Sequence, residues 1–230
     1  MAGNKYELKQ NKIRSMKLLK RIAALALAAM LPLAVSAQKP KGKDQLVTIS
    51  TAQGDIKLVL FDDTPQHKAN FLKLAKEGFY NGTNFHRVID GFMIQGGDPN
   101  TKDDDPRNDG AGSPGYTVPA EINPAHKHVR GAVAAARQDD RVNPSRASSG
   151  SQFYIVENHN GTPMLDEVYT VFGQVVDGLE VVDKIAELPK DGRDRPLSDV
   201  KMKVSVEAVK KKKIAKKYDY NYSTQTLEKK

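Results

Sequence analysis

The chain has 230 residues, of which 36 are Lys or Arg and 28 are Asp or Glu, and it contains neither Cys nor Trp. A chain of this size can bury a core without disulfides, and the lack of Cys excludes thiol catalysis, Cys-ligated zinc sites and iron–sulfur clusters. The formal charge of +8 lies in the two ends, because residues 39–209 carry 21 basic and 25 acidic side chains.

The first segment, residues 1–37, has the pattern of a secretory signal peptide. Basic residues at 17–21 precede an apolar run over 22–35, and small residues follow it. The run is shorter than the ~20 residues that a membrane span needs. A start at Met16 would give a leader of the usual length. We therefore expect export, to the periplasm of a Gram-negative organism or otherwise to the extracellular space, with residues 38–44 as a linker.

Hydrophobic periodicity predicts many short strands. Apolar and polar residues alternate at 56–60 and at 200–208, as in strands with one solvent-exposed face. Further β-rich runs lie at 84–96, 128–136, 152–157 and 168–176.

Two segments have helical periodicity instead. The first helix is predicted to begin after a cap at Asp63 or Thr64 and to end at Gly78. The second is predicted to begin after Asp177, with Glu180 completing a capping box. Short strands with two helices predict a mainly β fold, a closed antiparallel sheet with helical covers.

Two segments lack periodicity. Residues 97–120 contain Pro, Gly and acidic clusters, and a loop of that length is usually functional or mobile. Residues 210–230 are Lys-rich and polar, so a disordered tail is predicted. These boundaries leave one folded domain over 45–209.

Two stretches, 85–98 and 150–155, carry residues suited to binding a peptide. In an extended chain, residues two apart share a face, and each such pair here puts an amide beside an apolar group. The pairs are Met93 with Gln95, and Gln152 with Tyr154.

The backbone conformation at Gly91 determines whether Arg87 lies on the same surface. A bulge or kink at Gly91 would bring Arg87 onto the same face as Met93 and Gln95. Amides would then hold a peptide backbone while apolar groups hold a side chain.

At this point the sequence resembles the cyclophilin family of peptidyl-prolyl isomerases over about residues 45–209. The resemblance runs through Phe-Tyr-Asn-Gly-Thr at 79–83, Phe-His-Arg at 85–87, Gly-Tyr-Thr-Val-Pro-Ala-Glu at 115–121, Gly-Ser-Gln-Phe at 150–153 and Val-Phe-Gly at 171–173. It implies a closed eight-stranded antiparallel β-barrel capped by two α-helices, with the active groove on its outer face. It also implies an enzyme without a cofactor, which accelerates cis/trans isomerisation of X–Pro bonds in folding polypeptides. The sequence does not determine the oligomeric state, and we expect a monomer.

The resemblance assigns roles residue by residue. Arg87 matches the catalytic arginine. The positions that match the substrate groove are His86, Phe92, Met93, Gln95, Ala136, Arg137, Gln152, Tyr154, Met164, Leu165 and Tyr169. Met164 stands where cyclosporin-sensitive members have a tryptophan, so cyclosporin binding is left open. Tyr154 replaces the commoner Phe and would narrow or wet one wall of the proline pocket.

Two other functions are compatible with parts of the sequence. The long loops and the Lys-rich tail would also suit a holdase chaperone that binds proline-containing segments without rapid turnover. A metal-dependent hydrolase could use the pair His126 and His128, which lie near Glu121 in the sequence, or Asp103–Asp105, but neither group has a convincing third ligand. We therefore expect no metal. The Lys-rich end could contact anionic lipid, and nucleic acid is not expected as a partner of an exported protein.

Overall fold

The structure, a computed structural model of the chain, describes residues 40–227. The expected leader over 1–37 lies outside the described residues. No helix among residues 40–227 is both long and apolar enough to cross a membrane.

Eight strands form one antiparallel sheet, so the mainly β prediction is confirmed. In chain order they are β1 (Lys43–Thr51), β2 (Gly54–Leu60), β3 (Phe85–Ile89), β4 (Met93–Gly96), β6 (Ala132–Ala135), β8 (Phe153–Val156), β9 (Val171–Asp177) and β10 (Lys203–Lys210). Short strands β5 (Thr117–Val118) and β7 (Ser148–Ser149) pair separately. The spatial order of the sheet is β10-β1-β2-β9-β6-β8-β4-β3.

The barrel is open, which corrects the prediction of a closed one. The edge strands β3 and β10 do not pair as a ladder, and one isolated bridge, Asn84 to Lys201, joins their ends within the described chain. An irregular segment covers the rest of the β3 edge. Val88 N–H donates to the Asp194 carbonyl at 2.8 Å. This loop therefore occupies part of the β3 edge at which a closing strand would pair.

Two helices cover the sheet, as predicted, but one begins differently. Helix α1 (Pro65–Lys76) follows Thr64 as expected. Helix α2 (Leu179–Ala186) begins after Gly178 in the left-handed conformation, with φ of 88°, and not after an Asp177 cap. A side chain at Gly178 would collide with the Asp55 carbonyl oxygen. The Asp177 carboxylate instead binds Lys57 at 2.8 Å.

The core lies between the sheet and these helices. Its members are fully buried aliphatic and aromatic side chains, including Ile49, Ile56, Leu58, Phe71, Tyr80, Phe85, Val133, Phe153, Ile155, Phe172, Val182 and Ile185. Close packing of this cluster keeps rigid the strands on which the candidate site lies.

The prediction of a disordered tail is wrong over residues 210–227. This segment forms a third helix, α3 (Lys211–Tyr218), and a short hairpin of β11 (Tyr220–Asn221) with β12 (Thr226–Leu227). Ile214 is fully buried, and Tyr220 is buried beside it against residues of β1, β2, β9 and β10. A few large apolar residues spaced within the Lys-rich run therefore suffice to anchor it, and the folded unit extends beyond 209.

Candidate active site

A hairpin positions the first group of candidate residues. Strands β3 and β4 join through a turn at Gly91, whose φ is 70°. The register places Arg87 directly opposite Gln95, and Ile89 opposite Met93. Opposite residues of an antiparallel pair share a face, so Arg87, Met93 and Gln95 lie on one surface as predicted. The turn at Gly91 achieves this, and the register shift lies earlier, between Phe85 and Arg87.

Nine of the twelve sequence-predicted site residues line a single cavity of about 160 Å³ on this surface. They are Arg87, Phe92, Met93, Gln95, Ala136, Arg137, Tyr154, Leu165 and Tyr169. Several strands and the loops between them contribute, so the tertiary fold assembles the cavity. Its size suits one small apolar ring.

Arg87 lies at the edge of this cavity with its donors largely uncommitted. Its side chain is 44% exposed. Within the described residues its ion-pair contact is Asp194, with 3.8 Å between Arg87 Nε and Asp194 Oδ2. That separation exceeds hydrogen-bond length, so the guanidinium can still donate to a bound ligand.

A buried hydrogen-bond chain supports the cavity wall formed by Tyr154. The Tyr154 hydroxyl lies 2.9 Å from His128 Nε2, and His128 Nδ1 lies 2.9 Å from Asp166 Oδ1. Burial lowers the pKa of His128, which favours the neutral ring. A neutral His128 that donates from Nδ1 to Asp166 accepts a hydrogen bond from the Tyr154 hydroxyl at Nε2. The Tyr154 hydroxyl therefore has its hydrogen-bond partner on the side away from the cavity. It does not make the cavity wall more polar, as the sequence had suggested it could.

Two amides connect the cavity to a larger one. Gln95 Nε2 donates to Gln152 Oε1 at 3.1 Å. Gln152 Nε2 donates to the carbonyls of Gly110 and Gly112 at 3.0 and 2.9 Å. Gln152 lines the second cavity, of about 480 Å³, together with residues of both flanking loops. The Gln152 side chain therefore orients Gln95 as well as facing this second space.

The long loop over 97–120 is held by one carboxylate. Asp98 is fully buried and accepts backbone N–H groups of Asn100, Gly110 and Gly112. The loop also contains a 3₁₀ turn, Pro99–Lys102. Because the Gly110 and Gly112 carbonyls bind Gln152, this anchor fixes the polar side of the site.

The Arg137 side chain adds a feature that the sequence did not indicate. Its guanidinium lies over the Tyr169 ring, 4.6 Å from the centroid, and Arg137 Nε donates to the Val168 carbonyl at 3.1 Å. Arg137 also pairs with Asp140. The side chain stabilises one rim of the cavity in addition to the backbone role expected for it.

Besides Gln152, two predicted residues lie outside the first cavity. His86 is buried and lines an adjoining hollow that Arg87 and Gln95 share. Neither His86 ring nitrogen has a hydrogen-bond partner among residues 40–227, and burial lowers its pKa. Met164 is 71% exposed, in the 3₁₀ turn Pro163–Leu165, and lines none of these three cavities.

The histidines considered as a metal pair serve separate structural contacts. His126 Nε2 binds the Asp63 carboxylate at 2.8 Å, whereas His128 binds Asp166. Glu121 instead contacts His67 Nδ1 at 2.6 Å. Sequence reasoning missed the role of His128 behind Tyr154. A Tyr at a buried wall position is the signal that could have indicated it, because a buried hydroxyl requires a partner.

Comparisons with known proteins find relatives in one family. The family model described as cyclophilin type peptidyl-prolyl cis-trans isomerase/CLD matches residues 46–206. A peptidyl-prolyl cis-trans isomerase of Helicobacter pylori is 43% identical over 150 residues, which cover 63% of this chain and 82% of that protein. Peptidyl-prolyl cis-trans isomerase-like 3 of Homo sapiens is 41% identical over 165 residues, which cover 68% and 92%.

Other relatives are longer or structurally characterised. The chain spans 28% of the length of peptidyl-prolyl cis-trans isomerase-like 2 of Rhizopus delemar, at 39% identity. A crystal structure of a Cryptosporidium parvum cyclophilin type peptidyl-prolyl cis-trans isomerase matches with a TM-score of 0.63 and 32% identity, covering 72% of this chain and 98% of that one. The same protein in the presence of the dipeptide Ala-Pro matches with a TM-score of 0.62.

Proposed function

Because the chain belongs to the cyclophilin family of peptidyl-prolyl cis-trans isomerases, we propose that its candidate active site accelerates rotation about X–Pro bonds in polypeptides. The observation that carries the proposal is the uncommitted Arg87 guanidinium at the edge of a cavity of about 160 Å³ with apolar and aromatic walls. The Ala-Pro dipeptide named with the Cryptosporidium relative supports a proline-containing substrate.

The chemistry follows from the electronic structure of the amide. A planar peptide bond resists rotation by about 18–20 kcal/mol because the nitrogen lone pair is conjugated with the carbonyl. In the twisted transition state the lone pair leaves conjugation and can accept a hydrogen bond. Arg87 is permanently charged and offers several N–H donors, so it would stabilise the twisted bond more than either planar isomer. No nucleophile is required for this reaction.

One hydrogen bond is not sufficient for enzymatic rates. An acceleration of about 10⁶-fold requires about 8 kcal/mol, whereas a hydrogen bond to a charged group contributes about 1.5–3 kcal/mol. The buried floor, Met93 and Tyr154, would exclude water from the proline ring. Gln95 would hold the flanking backbone in the orientation that the twist requires.

Replacement of Arg87 by Ala tests the proposal. We expect kcat/KM for a proline tetrapeptide, measured by protease-coupled isomerisation, to fall about 10²–10³-fold with unchanged thermal unfolding. Arg87→Lys keeps the charge but loses the planar fork, so an intermediate rate is expected. Arg107→Ala is the matched control, because its side chain is 84% exposed and pairs with Asp105. Parent-like turnover of the Arg87→Ala protein would refute the role assigned to Arg87.

A second candidate function is a holdase for proline-containing segments. The second cavity, about 480 Å³, adjoins the first and shares Gln95, Ala136 and Arg137 with it, so a longer segment could be held there. If binding is the main activity, the Arg87→Ala protein will suppress aggregation of a client as well as the parent does. Loss of suppression in that variant favours catalysis.

We also propose that the protein is exported, on the basis of its N-terminal sequence. Basic residues at 17–21 followed by an apolar run over 22–35 support a cleavable leader. N-terminal sequencing of the protein from fractionated cells is expected to begin at Gln38. A cytosolic protein that begins at Met1 or Met16 would overturn the proposal.

A further inference from the structure

The helix α3 separates charge from apolar packing. At 100° per residue, four lysines occupy one side of the helix and Ile214 occupies the other. Lys217 Nζ lies 5.0 Å from the centroid of the neighbouring Tyr218 ring. Ile214 is fully buried against the sheet. The four lysines, which are all exposed, are Lys212, Lys213, Lys216 and Lys217. The packing of α3 therefore presents them on a fixed, outward surface.

Two lysines of the sheet extend this surface. Lys43 and Lys210 are directly opposite each other in the β1–β10 pairing, and both are exposed. Like charges at opposed positions of an antiparallel pair are destabilising. Lys210 immediately precedes α3, so these two lysines and the four on the helix are continuous. We call these six residues the basic face.

The basic face lacks the carboxylate partners that three other lysines have. Lys57, Lys68 and Lys211 each bind an Asp carboxylate at 2.7–2.9 Å. None of the six lysines of the basic face has an ion-pair partner within residues 40–227. Positive charge is thus concentrated and left uncompensated on one surface, which makes it a candidate for binding an anionic partner.

We propose that the basic face binds the anionic headgroup surface of a phospholipid bilayer. This role goes beyond the proposed isomerase function and involves none of its residues. None of the three cavities around the candidate active site is lined by these lysines, so the face offers no enclosed space for a single anion. Exposed ammonium groups suit a planar array of headgroup charges.

The position of the basic face along the chain favours a bilayer over other polyanions. Lys43 follows the end of the apolar run over 22–35 by eight residues in the sequence. Eight extended residues span at most about 29 Å. Before the cleavage proposed at Gln38, a run bound to a membrane would therefore keep Lys43 within that distance of the headgroups along the chain. Lysine clusters close to a membrane segment are attracted by anionic lipid.

Vesicle sedimentation of the full chain tests the proposal. The vesicles contain phosphatidylcholine alone or equal parts of phosphatidylcholine and phosphatidylglycerol. Because the apolar run can bind both kinds, the measured quantity is the ratio of the two partition coefficients. We expect anionic vesicles to be preferred, and the triple variant Lys212→Gln, Lys213→Gln, Lys216→Gln to reduce that ratio at least about tenfold at low salt.

A control variant removes the same charge elsewhere. Lys73, Lys76 and Lys184 are exposed on α1 and α2, and their triple replacement by Gln is expected to change the ratio less than about twofold. A triple Lys→Arg variant of the same basic-face positions should retain the preference, and high salt should abolish it.

Three outcomes would overturn the proposal. The parent chain could show no preference for anionic vesicles, or both triple Gln variants could lose it equally. Heparin or duplex DNA that binds the parent more tightly than anionic vesicles at the same salt would assign the face to a polyanion instead. Thermal unfolding of each variant establishes that the compared proteins are folded.

Discussion

The hydrogen-bond chain behind the cavity predicts that one mutation will rescue another. Replacing His128 by Phe removes the acceptor of the Tyr154 hydroxyl. A buried hydroxyl without a partner costs about 1–3 kcal/mol, so the Tyr154 ring is expected to move until its hydroxyl reaches water. The nearest open space is the cavity that Tyr154 lines. We therefore expect His128→Phe to obstruct the proline pocket.

The magnitude follows from that cost. Since about 1.4 kcal/mol corresponds to a tenfold change in an equilibrium, KM for a proline tetrapeptide should rise about tenfold, with a smaller change in kcat. Tyr154→Phe has no hydroxyl to relocate and should remain active. Adding His128→Phe to the Tyr154→Phe protein should therefore change KM by less than about twofold. Tyr154→Phe is thus expected to suppress the binding defect that His128→Phe causes on its own.

A matched control separates this effect from general destabilisation. His126 is also a buried histidine bound to a carboxylate, but it stacks on Phe61 and does not line the cavity. His126→Phe should lower the free energy of unfolding without raising KM. If His128→Phe and His126→Phe change KM equally, or if Tyr154→Phe fails to suppress the His128→Phe defect, the positioning role of His128 is refuted.

Three further predictions concern stability. Ile214→Ala should lower the free energy of unfolding by about 2–5 kcal/mol in urea titrations, because Ile214 is fully buried; a change below about 0.5 kcal/mol would mean that α3 is not packed. Gly97→Ala should also destabilise, and reduce activity, because φ is 86° and a Cβ there would meet a backbone oxygen at 2.5 Å. Burial lowers the folded-state pKa of His67, His86 and His128 below the ordinary 6.5. The unfolded chain therefore binds protons first, and the free energy of unfolding should fall as the pH drops below about 6.5. A flat profile between pH 7.5 and 5.5 would contradict this.

Much of the candidate site could be predicted from sequence because it depends on local rules. Alternation fixes which side chains share a face, and a glycine between two extended runs permits the turn that brings Arg87 opposite Gln95. Motif resemblance then supplied the residues contributed by distant segments, such as Leu165 and Tyr169. Nine of these positions meet in one cavity.

The features that escaped prediction depend on tertiary context. Lysine content in the tail obscured the few large residues, Ile214 and Tyr220 among them, that bury against the sheet. The sheet remains open, and a loop occupies part of the free edge of β3, an arrangement that periodicity does not encode. The α2 cap differs because close approach to the Asp55 carbonyl requires glycine at position 178.

The ion pairs of the other arginines strengthen the assignment of Arg87. Residues 40–227 contain eight arginines, and six of them bind a carboxylate at 3.0 Å or less: Arg107, Arg130, Arg137, Arg141, Arg146 and Arg195. The exceptions are Arg87 and Arg193, at 3.8 and 3.9 Å. Of these two, Arg87 alone lines the apolar cavity. A bidentate carboxylate would occupy the donors that a twisted prolyl bond needs. The fold therefore leaves the Arg87 guanidinium without a hydrogen-bonded carboxylate, as the mechanism proposed above requires.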